Sequence, residues 1–120
     1  ARNGQHVLRA SIVPTMALSE AMAKPYGIAR NDNTVLLLVG VRRGSADAEV
    51  AIPATLEVRV RDLRGVQRDV MLREIRNAEF IDYAGSVKVQ APDTLTFEIQ
   101  ANADGMPATT LRFSRDVHRP

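Results

Sequence analysis

Two histidines, five serines and 14 acidic residues are the side chains through which this 120-residue sequence could run a reaction. Nucleophilic catalysis needs a hydroxyl or thiol polarised by a base that a third group orients. Cysteine is absent, which removes thiolate chemistry, disulfides and Cys-ligated zinc together. None of Ser11, Ser19, Ser45, Ser86 and Ser114 stands in a strand–turn–helix elbow; Gly44-Ser45 is followed by Ala46-Asp47 rather than by a second glycine. His6 and His118 lie near opposite chain ends and are expected exposed or loosely packed. If the first and last strands approach, they supply two metal ligands, fewer than a zinc site uses.

Asn102-Ala-Asp-Gly105 has the opening of a calcium loop but no downstream glutamate, and Pro107 interrupts it, so it reads as a turn. Gly40-Val-Arg-Arg-Gly44 runs into no helix and is not a phosphate loop. Glu79, Asp82 and Glu98 could form an acid–base pair if their strands meet. Nothing around them encloses a substrate, and a hydrolase is the least supported functional reading. No cofactor or metal is expected.

Binding chemistry has two candidates. The first is the group Arg59, Arg61, Arg64, Arg68, Arg73 and Arg76, in which Arg59 and Arg61 share one strand face with Arg64 at its tip. Such a face can dock an acidic protein or an anionic envelope glycan; Asp62, Asp69 and Glu74 stand close enough in sequence to neutralise it into ordinary surface. The second is the segment from Leu18 to Asn33, where Tyr26, Gly27, Arg30 and Asn33 combine an aromatic, a flexible backbone and polar groups. Its structural reading is a crossover pinned to the core by Leu18, Met22 and Ile28. Nucleic acid is not expected, because the net charge is only +2 and the few aromatics are not interleaved with the arginines.

These groups need a scaffold, and the hydrophobic pattern describes one. With 45% apolar residues, a chain of this length buries about two thirds of its unfolded surface, leaving roughly 6,400 Å². The dominant period is two. Leu56, Val58 and Val60 alternate with Glu57, Arg59 and Arg61, and alternation resumes from Val66 to Arg73 after Leu63-Arg64-Gly65, predicting a second strand there. Gly65 suits the left-handed position of a three-residue hairpin loop, which sets Arg59 opposite Asp69, Val58 opposite Val70 and Leu56 opposite Leu72. Arg68 falls on the apolar side of that hairpin, where a strand-edge or snorkelling position suits it.

Further strands are expected over residues 5–13, 34–42, 79–84 with a continuation at Val87 and Val89, 94–100 and 108–116. The continuous apolar run from Val35 to Val39 implies burial on both faces. Ala91 to Thr94 and Ala101 to Pro107 have turn composition, and Ser19 to Lys24 forms a short helical turn with Ser19 as its cap. The sum is one all-β domain over residues 1–120, an antiparallel sandwich of about seven strands with one short helical turn. No apolar run is long enough to span a bilayer as a helix. The start Ala1-Arg2-Asn3-Gly4 fits a mature form after signal-peptide removal and equally a trimmed chain.

The stretch Leu18-Ser-Glu-Ala-Met-Ala-Lys-Pro-Tyr-Gly-Ile-Ala-Arg-Asn-Asp-Asn33 resembles the signature of the DUF4426 family, small exported domains of Gram-negative proteobacteria. Tyr26, Gly27, Ile28, Arg30 and Asn33 match its pattern, while Ala10, Val13 and Pro14 depart from it. Leu63-Arg64-Gly65, Glu79 to Tyr83 and Thr94 to Ile99 resemble later stretches, so the likeness runs from Gln5 to Val117. The resemblance implies a removed signal peptide, a periplasmic or secreted location, an immunoglobulin- or fibronectin-like sandwich and no assigned reaction. The expected function is therefore a non-catalytic exported domain that contacts a protein or envelope component. A small-ligand carrier, with a pocket between the sheets or under the Tyr26 loop, is the alternative.

Overall fold

Alternating apolar and polar residues can bury one face only when two sheets turn those faces toward each other, and the chain does this. The computed structural model describes residues 2–3, 5–24, 27–44, 49–77 and 80–118. Its strands are β1 (Arg2–Asn3), β2 (His6–Pro14), β3 (Thr34–Arg43), β4 (Val50–Ala51), β5 (Ala54–Arg61), β6 (Gln67–Asp69), β7 (Arg73–Asn77), β8 (Phe80–Lys88), β9 (Asp93–Ala103) and β10 (Met106–Val117). One antiparallel sheet has the order β1-β2-β3-β8-β7, with β4 added beside β3; the other has the order β10-β9-β5-β6. Three of the strands have only two or three residues, so the seven longer ones carry the expected sandwich.

Between the sheets lie Leu8, Val35, Leu37, Val39 and Val41 from one layer and Val58, Val60, Leu95, Phe97 and Ile99 from the other. A smaller cluster sits on the opposite side of the first sheet, where Leu18, Ala23, Leu36 and Ala84 are buried together, with Ile28 and Ile75 packed against them. This second cluster explains the unbroken apolar run of β3. Its odd positions face the other sheet, and its even positions lie under the connection from β2 to β3.

That connection is held by short-range chemistry. Ser19 caps the four-residue helix α1 (Glu20–Ala23), its hydroxyl accepting the Met22 N–H at 3.1 Å. Thr15 is fully buried; its hydroxyl donates to the Asn31 carbonyl at 2.7 Å and accepts the Asn31 N–H at 3.0 Å, closing the loop at its base. Leu18 and Ile28 anchor the crossover as expected, but Met22 is 57% exposed and Ala23 takes the inward position. A helix of one turn can direct a single residue at the sheet, and the cap places that residue at Ala23.

The hairpin after β5 follows the expected register through Arg59 opposite Asp69, and the Val70 N–H bonds the Val58 carbonyl at 2.9 Å. Gly65 has φ +85°, the left-handed conformation its loop position requires. The expected pairing of Leu56 with Leu72 does not occur. After Val70 the chain leaves the β5 sheet, and Arg73 to Asn77 pair with β8 in the other layer. The single strand expected over residues 66–73 is thus two strands in two sheets, joined by a crossing at Val70-Met71-Leu72. The crossing runs directly over Gly85, where a Cβ would lie 2.8 Å from the Met71 carbonyl oxygen and 2.8 Å from a Leu72 methyl carbon. Glycine is needed at residue 85 because backbone occupies the side-chain volume.

The stretch from Ala101 to Pro107 is also a correction. β9 runs on to Ala103 and β10 begins at Met106, so only Asp104-Gly105 forms the loop, with Gly105 at φ +73°. Asp-Gly is a preferred two-residue hairpin pair. Pro107, which cannot donate to a ladder, sits in the register shift between Met106 and Thr109.

Candidate functional site

On the outward face of the β10-β9-β5-β6 sheet, cross-strand pairing lines up Asp69, Arg59, Glu98 and Arg112 in one row of alternating charge. Arg59 lies 3.8 Å from Asp69, and the Arg112 guanidinium bonds the Glu98 carboxylate. Arg61 reaches Gln67 at 3.4 Å, in the next row with Thr96 and Ser114. The Arg112 hydrogen bond, opposed by burial and reinforced by the fields of Arg112, Arg59 and Arg61, holds the Glu98 carboxyl below its ordinary range. The carboxylate stays charged and paired, a structural cross-link rather than an acid–base group.

At the hairpin tip Arg64 pairs with the nearly buried Asp62 at 3.1 Å. Asp62 also accepts the Arg64 and Val66 backbone N–H groups at 2.9 and 3.1 Å. Burial opposes its charge, but the Arg64 side chain, the Val66 N–H and the Arg64 N–H outweigh burial and lower its pKa. The three acids expected to neutralise the arginines do so: Asp62 with Arg64, Asp69 with Arg59, and Glu74 with Arg76 at 2.9 Å. The arginines do not form one patch, however. Arg59, Arg61, Arg64 and Arg68 belong to the β5–β6 hairpin, while Arg73 and Arg76 lie on β7 in the other sheet.

Of the β2–β3 crossover residues, Tyr26 lies outside the described residues. Gly27 has φ +65° and lies against the Arg73 guanidinium, with which a Cβ there would collide. Arg30 donates to the Met16 carbonyl at 3.3 Å, the Asn33 N–H bonds the Asn31 side chain at 3.2 Å, and the Asn33 carbonyl accepts from Val89 at 2.9 Å. These contacts fasten the crossover to the first sheet. Gly27, Arg30 and Asn33 are therefore not brought together with Arg59 and Arg61, which face outward from the other sheet.

The catalytic pairings are dispersed as well. Asp82 lies beside Gly40 on the outer side of the first sheet and Glu98 on the outer side of the second, with the core between them; Glu79 lies outside the described residues. His6 stands by Gly105 and His118 beyond the far end of β10, apart by the length of a 12-residue strand, roughly 40 Å. His6 is also buried, at 7% exposure, rather than loosely packed, because the β9–β10 turn folds over it. Among the described residues no group of three or more His, Cys, Asp or Glu side chains could hold a metal ion.

What sequence reading missed is the side of the sandwich where β2 and β10 form the two sheet edges. His6 lies by the start of β10, while Ile12 and Pro14 share a cavity with Val117 and His118, so the two strands run the same way along this side. Leu111 and Phe113 point inward as expected but are only partly covered; Phe113 stacks on Phe97 with ring centroids 5.2 Å apart. Arg115 shares their parity and lies over the Phe113 ring at 4.9 Å. At one end, Ile12, Val35, Val89 and Val117 line a cavity of about 490 Å³, with Arg115 and His118 among the groups around it. Beside it a groove of about 590 Å³ follows Leu8, Ala10, Leu111 and Phe113 and bends over the β2 edge to Gly40 and Asp82. The available signal was the inward parity of Arg115, a charge on the apolar side of an edge strand.

Comparison with known proteins places this architecture. A crystal structure of a DUF4426 family protein from Pseudomonas aeruginosa PAO1 superposes with a TM-score of 0.83 at 19% identity, covering 100% of this chain and 94% of that one. At that identity the likeness speaks for the fold. No curated protein matches the chain. The family described as "Domain of unknown function (DUF4426)" matches residues 1–119. With its pattern spanning both sheets and the crossover between β2 and β3, the chain belongs to the DUF4426 family.

Proposed function

We propose that this domain is a non-catalytic interaction module, exported to the periplasm or beyond, that binds a protein or envelope component through the open side between β2 and β10. The observation carrying this reading is the incomplete cover over Ile12, Leu111 and Phe113 beside two sheet edges. Partly exposed apolar residues next to unpaired backbone form a surface that a partner can complete. The outer arginine row supports the choice by contrast, since Arg59 and Arg112 already have carboxylate partners. An immunoglobulin-like sandwich that displays one open side suits this task.

A photo-crosslinking amino acid at Phe113, expressed in cells of the source organism, is expected to capture a discrete protein or envelope component. The same group at Thr110, on the outward side of β10, is the control. Equal labelling at both positions would remove the open side as the binding region, and recovery of the chain only from cytosol would remove export.

The second reading, a small-ligand carrier, rests on the end cavity between the sheets. Its volume of about 490 Å³ lies within the range of small-molecule sites. Native mass spectrometry of the purified chain distinguishes the two readings, because a carrier retains a small adduct that unfolding releases.

A further inference from the structure

The cavity at the Pro14 end of the sandwich lies between the layers rather than along an edge. Its apolar walls come from several segments of the chain: Ile12 on β2, Met16 and Ala17 on the crossover, Val35 on β3, Val89 just after β8, and Val117 on β10. A strand added beside β2 would lengthen the first sheet in its own plane and leave this space as it is. At roughly 30 Å³ for each atom-sized group in a liquid, about 490 Å³ has room for a molecule of up to about fifteen heavy atoms. Because the walls are mostly aliphatic, burial of a hydrocarbon body supplies the affinity.

One polar group in these walls is free. Thr34 lines the cavity and is only 8% exposed, yet its hydroxyl has no hydrogen-bond partner among the described residues. A buried hydroxyl left without a partner is unfavourable, and a ligand oxygen relieves it. The ions around the mouth do not select a charged ligand. Arg115 lies over the Phe113 ring and donates to the Ser114 carbonyl at 2.8 Å, while Asp116 accepts the Thr94 hydroxyl at 2.8 Å. Asp32 and His118 are exposed beside them. An anion would meet two carboxylates and a cation would meet a guanidinium, in an aliphatic space that compensates neither for its lost hydration. Resting on the carrier reading, we infer that the end cavity takes an uncharged, largely aliphatic molecule whose single hydroxyl or carbonyl oxygen hydrogen-bonds Thr34. The Thr34 hydroxyl serves either group, donating to a carbonyl and accepting from a hydroxyl. Met16, unbranched and 47% exposed, is a flexible wall that adapts to the length of the hydrocarbon.

The test is an NMR titration of the unaltered chain at about pH 7 with 1-octanol, octanoate, octylammonium and toluene. Octanol is expected to bind with a dissociation constant of about 0.1–1 mM. Amide shifts should centre on Met16, Thr34, Val35, Val89 and Val117. Octanoate and octylammonium, of the same length, should bind at least about fivefold more weakly. Thr34→Val keeps the shape of the side chain and removes the hydroxyl, so octanol should weaken about three- to tenfold while toluene, which has no oxygen, is unchanged. Ala17→Trp fills the space and should abolish binding of every probe. Either ion binding as tightly as octanol, or octanol indifferent to Thr34→Val, would overturn the inference and leave the carrier reading standing. Shifts away from the cavity, or no shift with any probe at about 3 mM, would remove the carrier reading together with the inference.

Discussion

The two long sides of this sandwich solve the same problem differently. On the β6–β7 side the chain itself closes the gap: it crosses between sheets at Val70-Met71-Leu72, the edge strands are short, and Arg68 reaches from β6 to the Lys88 carbonyl at 2.8 Å. On the β2–β10 side no segment crosses among the described residues, and two long edge strands flank partly covered core residues. The first side is sealed with backbone, the second with side chains such as Arg115 over Phe113. A backbone seal is rigid and intolerant of added volume. A side-chain seal can be moved aside by rotation, so perturbations of equal size should have unequal effects on the two sides.

The largest effect is expected at Gly85. Gly85→Val drives a branched side chain into the Met71 carbonyl, and a loss of about 3 kcal/mol in urea unfolding is expected. A loss below about 1 kcal/mol would mean that the crossing yields as easily as a side chain. Next is Gly65→Val at the hairpin tip. No atom lies within 4 Å of a Cβ there, so the cost is the left-handed backbone alone, about 1–2 kcal/mol by the same measurement.

A smaller effect should appear at acid pH. The Asp62 and Glu98 carboxyls are lowered in the folded state, so their stabilisation is complete above the unfolded value near 4 and is lost as pH falls through the folded values. The urea midpoint of the wild-type chain should therefore drop more steeply below about pH 4 than that of an Asp62→Asn, Glu98→Gln variant. Parallel curves would show that these pairs do not couple to folding. The smallest change is expected on the open side, where Arg115→Gln should alter stability by less than about 0.5 kcal/mol. A larger loss would show that the Arg115 seal is not easily moved aside and would narrow the difference between the two sides.

The sequence disclosed the layer architecture because alternation is a local property, and Arg59 opposite Asp69 followed from Gly65 and strand parity. It did not disclose the sheet switch. Leu72 has the parity of Val70 whether the strand continues or changes layers, and the clue was the loss of alternation across Val70-Met71-Leu72. Asp104-Gly105 was hidden by Asn102 and Pro107, whose loop-like composition belongs here to strand residues and a register shift. The Arg59–Glu98–Arg112 row was only partly legible. Asp69 lies ten positions from Arg59, whereas Glu98 and Arg112 arrive by way of the β5–β9 and β9–β10 pairings. The open side was least legible, because a strand becomes an edge only through pairings made elsewhere in the sheet.

The β9–β10 pairing also bears on how the chain reaches this structure. Asp104-Gly105 joins two long strands through a two-residue loop, so this hairpin forms without closing a large ring. Docking β5 onto β9, and β3 onto β8, instead closes rings of about forty residues at roughly 3 kcal/mol of chain entropy each. The hairpin is therefore expected to be an early-forming unit with both margins bare, awaiting β5 on one of them. Only that margin is claimed as folding proceeds. The outer margin of β10 in the finished domain is then a remnant of the nascent hairpin, exposed from the first microseconds of folding onward.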